Sequence, residues 1–376
     1  MSARKQVSSG ASTGSAPMLA GRAGLREGVA PLVVRAALAL AAIGGLAVVG
    51  TPASLAAQES TTHRLPLAPE NVHWGYYDAS VEPVITIRSG DRVEVETMVA
   101  HGLWRLRRAG ATDDRIPQSM IAVETAVTQR GPGAHVMAGP IRVEGAEPGD
   151  VVEVRILEIG YLTPYGVSGF LPGGGTLPDQ FPYAALQFFE FDVEAGTATM
   201  GDSGVRIPLR PFFGSIGVAP PEMRGRISSG PPGYHGGNFD NKELVAGSTV
   251  FLPVHVAGAH VSIGDGHAAQ GDGEVSGTAI ETSLTGTVEV VLHKGRTLRW
   301  PRAESPTHYI SMGLHTDLDE AARIAVLEMV DFIVERHGLS RDDAYILCSV
   351  ALDLRVTQLV DGTKGIHGML EKTLFP

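Results

Sequence analysis

The sequence predicts a mainly β protein, with a β-sandwich or barrel-like body and a small α/β unit at the C-terminal end. Three observations carry this expectation. Short segments rich in β-branched residues alternate apolar and polar positions between about residues 83 and 292, the period-2 signature of half-buried strands. The 47 Gly and 24 Pro punctuate these segments at short intervals, as frequent turns require. Beyond residue 300 the apolar spacing lengthens to that of amphipathic helices. Three parts follow: an export signal and linker over residues 1–57, a β-rich body carrying the candidate site over 63–300, and an α/β portion over 301–376 packed on that body.

The leader reads as a signal peptide. Arg4, Lys5, Arg22, Arg26 and Arg35 precede an uncharged run over 36–50, followed by the small residues Ser54 and Ala56 at cleavage spacing. That run is shorter than the ~20 apolar residues of a membrane span, so cleavage and release to the periplasm or the medium is the expectation. No membrane contact is expected of the mature chain. The absence of an Arg-Arg pair in the leader points to general secretion. The net charge is −11, and a cleaved leader would carry off five basic residues and one acid, Glu27. A nucleic-acid or anionic-membrane partner would need the opposite charge. Cys348 is the single cysteine and lies in an apolar helical pattern, which reads as a buried structural thiol.

Along the chain, His73 to Tyr77 open a sheet. Residues 83–87 and 92–96 flank a Ser89-Gly90-Asp91 turn as a β-hairpin would. Residues 101–130 suggest only a short helix or loop. Turns at 131–140 and 147–150 lead into strands at 141–145 and 151–159, residues 161–233 read as a long irregular region, and strands follow at 248–256 and 286–292. Asp317 to Glu320 form a capping box for a helix that stops at Gly338. Ser340 starts a second helix to about Leu354, and residues 356–360 read as a closing strand.

Chemistry concentrates in the stretch GDGHAAQGDGEVSGTAIE at 264–281, where Asp265, His267, Gln270, Asp272, Glu274 and Glu281 stand among glycines with no Lys or Arg. Converging carboxylates repel and are costly to bury, so a cation or a proton-transfer task usually compensates them. A polar surface loop of Gly-Asp turns is the bland alternative. Tyr234-His235-Gly236-Gly237-Asn238-Phe239-Asp240 repeats the chemistry, and His135 lies between turn residues ahead of a strand. Together these imidazoles and carboxylates suit Zn²⁺, with Ca²⁺ and Mn²⁺ left open. Asp265 and His267 share a face if their segment is extended. If 274–281 were a strand, Glu274 and Glu281 would point to opposite faces. Beyond the leader there is no G-x-S-x-G elbow and no cysteine in a basic setting, which favours activated water over a covalent nucleophile.

The segments GPIRVEGAEPGDVVEVRI (139–156), HGGNFDNKELVAGSTVFLPV (235–254), GDGHAAQGDGEVSGTAIE (264–281) and DAYILCSVALDLRVTQLVD (343–361) resemble the acetamidase/formamidase family of amide hydrolases. The resemblance runs from about His73 to the C-terminus. It implies metal-assisted hydrolysis of a small aliphatic amide to carboxylate and ammonia, on a β-sandwich-like body, in a homo-oligomer. With it, Asp240, Asp265 and His267, joined by His235, become the expected metal ligands. Glu274 becomes the expected proton carrier with Glu281 and His135 as second choices, Asn238 and Gln270 the substrate contacts, and Asp272 a turn residue. Hydrolysis of another amide, a carbamate or an ester stays open, as does a non-enzymatic exported module stabilised by Ca²⁺.

Overall fold

The computed structural model describes residues 60–376, so the leader expectation for residues 1–57 lies outside the described residues. Two large sheets face each other. One holds nine strands in the order Thr62–Leu65, Asp91–Glu96, Leu284–His293, Val151–Tyr161, Thr249–Pro253, Arg302–Glu304, His308–His315, Lys364–Glu371 and Asp353–Gln358. The other holds eleven, with Val261–His267 and Val136–Val143 near its centre. Inward side chains of both sheets, including Val93, Val154, Val288 and Met312 from the first and Ile141, Phe213, Ile216 and Ile263 from the second, form one buried core cluster. This is the sandwich that period-2 alternation calls for.

Four helices are described. Helices α1 (Leu103–Ala109) and α2 (Gln118–Ala126) bury Leu103, Leu106, Met120 and Val123 with Tyr165 and Val167 of the eleven-stranded sheet. Helix α3 (Leu318–His337) packs on the strands His308–His315 and Lys364–Glu371, and α4 (Arg341–Ala351) packs beside it. The α3 start is as expected: the Asp317 carboxylate accepts from the N–H groups of Asp319 and Glu320, and Gly338 closes the helix in the left-handed conformation. Cys348 is buried and free, and burial pushes its thiol up to about 11. No described helix is long and apolar enough to cross a membrane.

Three sequence expectations are corrected. Residues 83–96 do not form a hairpin: Ile85–Ile87 pairs with Val136–Val143 in one sheet, whereas Asp91–Glu96 pairs in the other. The Ser89-Gly90 turn therefore hands the chain from sheet to sheet. The 161–233 region is not irregular but contains six strands, from Tyr165–Phe170 to Ile227–Ser228. The closing strand of the tail is Asp353–Gln358, and a further strand, Lys364–Glu371, inserts between it and His308–His315. The C-terminal portion is therefore continuous with the nine-stranded sheet.

Candidate functional site

The two glycine-rich loops meet because a third strand lies between them. Phe212–Gly217 pairs with Gly236–Asn238 on one edge and Val261–His267 on the other, setting Ser215 opposite Asn238 and Phe212 opposite His267. Gly214 forms the floor: a Cβ there would collide with Asp265 Oδ2, approach Asp240 Oδ1 to 2.6 Å and His267 Cε1 to 3.0 Å. Three acids stand on strained backbone, with φ of 50° at Asp240, 59° at Asp265 and 46° at Glu274. Left-handed backbone costs a non-glycine residue on the order of 1–3 kcal/mol and persists where the surroundings over-determine it.

His267 is the hub. Its Nε2 lies 3.4 Å from Asp265 Oδ2 and 3.4 Å from Glu281 Oε1, while its Nδ1 lies 2.9 Å from Gln270 Oε1 and 3.9 Å from Asp240 Oδ1. Two buried groups of ligand atoms thus share this imidazole, Asp240 with Glu274 and Asp265 with Glu281, each group lying within 4.8 Å. Nδ1 donates to the Gln270 carboxamide oxygen, which leaves Nε2 facing Asp265 and Glu281. Asp265 Oδ1, Glu281 Oε2 and Asp240 Oδ1 are buried without a hydrogen-bond partner among the described residues. His135 completes this side, its Nε2 3.8 Å from Asp265 Oδ2 while its Nδ1 is 3.1 Å from the Ser229 carbonyl. Orphaned carboxylate oxygens beside an unshared imidazole nitrogen fit a divalent cation, which supplies the charge such oxygens lack.

The electrostatics separate the acids. Burial, then the charges of Glu274, Asp361 and Asp265, push Asp240 well above the carboxylate range. Burial and the Asp361 charge do the same to Glu274. Burial also opposes ionisation of Asp265, yet His135 and His267 hold its carboxyl below the usual range. His267 is raised despite burial, because Glu281 and Asp265 favour its charged form. Acids whose environments push their titrations apart are candidates for holding and releasing a proton.

The structure brings together Asp240, Asp265, His267, Glu274, Glu281, Asn238, Gln270 and His135, and sets others aside. His235 does not join the acids. Its ring packs edge-on against Tyr77 at 5.0 Å, and burial holds it neutral, down to about 3. Asn238 and Gln270 have both amide ends committed within the protein. Asn238 accepts from Ser215 Oγ at 2.7 Å and donates to Asp240 Oδ2 at 2.6 Å. Gln270 accepts from His267 and donates to the Asp240 carbonyl at 2.7 Å. They position the acids and the imidazole instead of offering free groups to a substrate. Glu281 sits on the Nε2 side among the candidate ligands, where a proton carrier had been one expectation. The parity argument separating it from Glu274 does not apply, because Glu274 lies in a turn and only Glu281–Thr282 is strand. Asp272 pairs with Lys242 Nζ at 3.0 Å, as a turn residue does.

Several residues of the site were not marked by sequence. Asp361 accepts from Asn238 Nδ2 at 3.2 Å; its signal was an acid directly after a predicted strand. Gly214 and Ser215 lay in a region read as irregular. His101 precedes α1 and Arg105 lies within it, where periodicity was weak. Glu274 and Gln270 line a cleft of about 550 Å³ with Arg210, Lys242 and Thr278.

The sandwich draws buried carboxylates onto one imidazole beside a cleft, and these residues form two groups that could hold a metal ion. The chain belongs to the acetamidase/formamidase family, whose sequence profile matches residues 67–229 and 228–369. It is 30% identical to the formamidase of Methylophilus methylotrophus over 244 residues, 51% of this chain and 57% of that one. It is 32% identical to the acetamidase of Mycolicibacterium smegmatis over 200 residues, 38% and 49% of the two chains. The chain thus spans about half the length of these curated relatives. Its fold is similar to the crystal structure of acetamidase from Bacillus halodurans, with a TM-score of 0.70, 33% identity, and coverage of 83% of this chain and 98% of that chain.

Proposed function

We propose that this chain is an exported amidase that hydrolyses a small aliphatic amide to carboxylate and ammonia, with Glu274 carrying the proton. The observation that supports it most is Glu274 itself. It is buried, its acid form is favoured, and it reaches His267 and Asp240 on one side and the cleft on the other. A carboxyl whose proton affinity is raised is the stronger base once ionised, so Glu274 in its carboxylate form would take a proton from water and return it to the departing nitrogen. Water adds to the amide carbon, the C–N bond breaks, and the amine leaves protonated.

Asp265, His267 and Glu281 are the residues that would hold a divalent cation, with His135 beside them, and an imidazole in the set favours Zn²⁺ or Mn²⁺ over the oxygen-seeking Ca²⁺. Such a cation, when bound, polarises a carbonyl and acidifies water. Gln270 aims His267 Nε2, Asn238 holds Asp240, and burial with the Asp361 charge keeps Glu274 protonatable. Formamide and acetamide should release ammonia with purified protein. Chelation should abolish release, and Glu274→Gln should lower kcat by about 10² or more with folding intact, the usual scale of proton-transfer catalysis. Unchanged turnover in Glu274→Gln would remove that residue from its role. Export rests on the leader read over residues 1–57; N-terminal sequencing of protein recovered outside the cytoplasm should begin at Ala57.

A further inference from the structure

Arg105 is the arginine most completely withdrawn from solvent that sits near the site. Its side chain is buried at 5% exposure, its Nε has no hydrogen-bond partner, and no carboxylate of the described residues lies within ion-pair distance. Other arginines of the sandwich behave differently. Arg155 and Arg210, each about half exposed, pair with Glu153 and Glu243 at 2.6 and 2.7 Å. The guanidinium lies 5.5 Å from the centroid of the Trp104 ring. A buried guanidinium with no hydrogen-bonded carboxylate is still expensive, because cation–π contact and distant charges repay only part of its desolvation.

Helix α1 packs on the face of the sheet that carries Glu281. Leu103 and Leu106 of α1 share a core cluster with Val136, which follows His135, and with Val167, which pairs across the sheet with Glu281. At the head of α1, His101 adopts the left-handed conformation at φ 62°, and its N–H donates to the carbonyl of Ala134 at 2.9 Å. The helix is thereby tied to the segment that carries His135. Glu281 and Glu274 both act electrostatically on Arg105, and His101 feels Arg105, His135 and Asp265 together. The guanidinium thus feels the acids of the centre from beyond ion-pair distance, on a helix tied to the segment that carries His135.

A planar fork of five N–H donors matches a carboxylate in bidentate fashion, and Arg is the side chain best suited to that task. We infer that Arg105 is a carboxylate-recognition residue of the substrate pocket, and that this chain takes small amides bearing a carboxylate of their own. The inference deepens the amidase reading and rests on it for the word amide. A carboxylate at Arg105 has two sources, a remote group on the substrate or the group newly formed by hydrolysis, and matched ligands tell them apart.

The test compares succinamate with butyramide, which have the same chain length but differ in the terminal carboxylate, and titrates succinate and butyrate by calorimetry. The wild-type chain should favour succinamate in kcat/KM. Arg105→Gln should lower the succinamate-to-butyramide ratio at least tenfold, a loss in keeping with one charge-assisted contact, and weaken succinate binding by a similar factor. Arg105→Lys, which keeps the charge and loses the fork, should restore part of the ratio. A ratio unchanged in Arg105→Gln overturns the inference, and so does an equal loss of butyrate and succinate binding, which assigns the contact to the product carboxylate. If neither amide is hydrolysed yet succinate binds wild type and not Arg105→Gln, the amidase reading fails while the carboxylate site stands.

Discussion

Gly214 shows how much a single residue decides at this centre. Adding one methyl group there would drive into Asp265 Oδ2 and Asp240 Oδ1 together. Gly214→Ala is therefore expected to lower kcat/KM by about 10² or more, the scale of a misplacement near 1 Å, and to leave far-ultraviolet circular dichroism unchanged. Activity within threefold of wild type would show that the acids can retreat without cost. Gln270→Ala removes the acceptor that aims His267 and should cost a further one to two orders of magnitude, as loss of a ligand's hydrogen-bond partner typically does in metal affinity or activity. A chelator titration reads its effect on affinity apart from turnover. Asp265, His267, Glu274 and Glu281 were legible in the sequence because acids crowd there without bases. Asp361, Gly214 and Arg105 were not, because each lies far away along the chain and looks ordinary in its own segment.

Among the elements, helix ends were read best. The N-cap of α3 rests on Asp317, whose carboxylate accepts two backbone N–H groups. Asp317→Ala should lower the unfolding free energy by about 1 kcal/mol, the usual value of such a cap, and urea unfolding would detect it. The strand under α3 makes a sharper demand. Tyr309, Ser311 and Gly313 face the helix while Ile310 and Met312 join the sandwich core, and a Cβ on Gly313 would press into the backbone at Ala321 and Ala325. Gly313→Ala should destabilise by about 1–3 kcal/mol, as overpacking does; a change below 0.5 kcal/mol would mean that α3 can shift outward. The strands read from alternation at 141–145, 151–159 and 286–292 correspond to Val136–Val143, Val151–Tyr161 and Leu284–His293. The failed hairpin at 83–96 has a simple cause, since period-2 alternation marks a strand but names no partner.

At the scale of the whole molecule, buried histidines set the response to acid. Burial holds His73 and His367 down to about 4 and His235 to about 3. An unfolded chain protonates these groups below about pH 6.5, so each removes stability as pH falls from 6.5 toward its folded value. Between pH 6.5 and 5 the loss is on the order of 2 kcal/mol per histidine. The raised Asp240, Glu274 and His267 act in the opposite sense, so the histidine contribution is read by difference. His367→Gln should lose less of its thermal midpoint between pH 6.5 and 5 than the wild type, and an identical pH slope in the two would contradict this. Local composition and periodicity were enough to establish the β-rich class, the two C-terminal helices and the acid-rich loop, because hydrophobic spacing and capping act over a few residues. Which strands pair, and therefore which acids and glycine share one centre, was settled only in three dimensions, because both sheets are assembled from segments distant along the chain and pairing depends on how the two faces of the sandwich close.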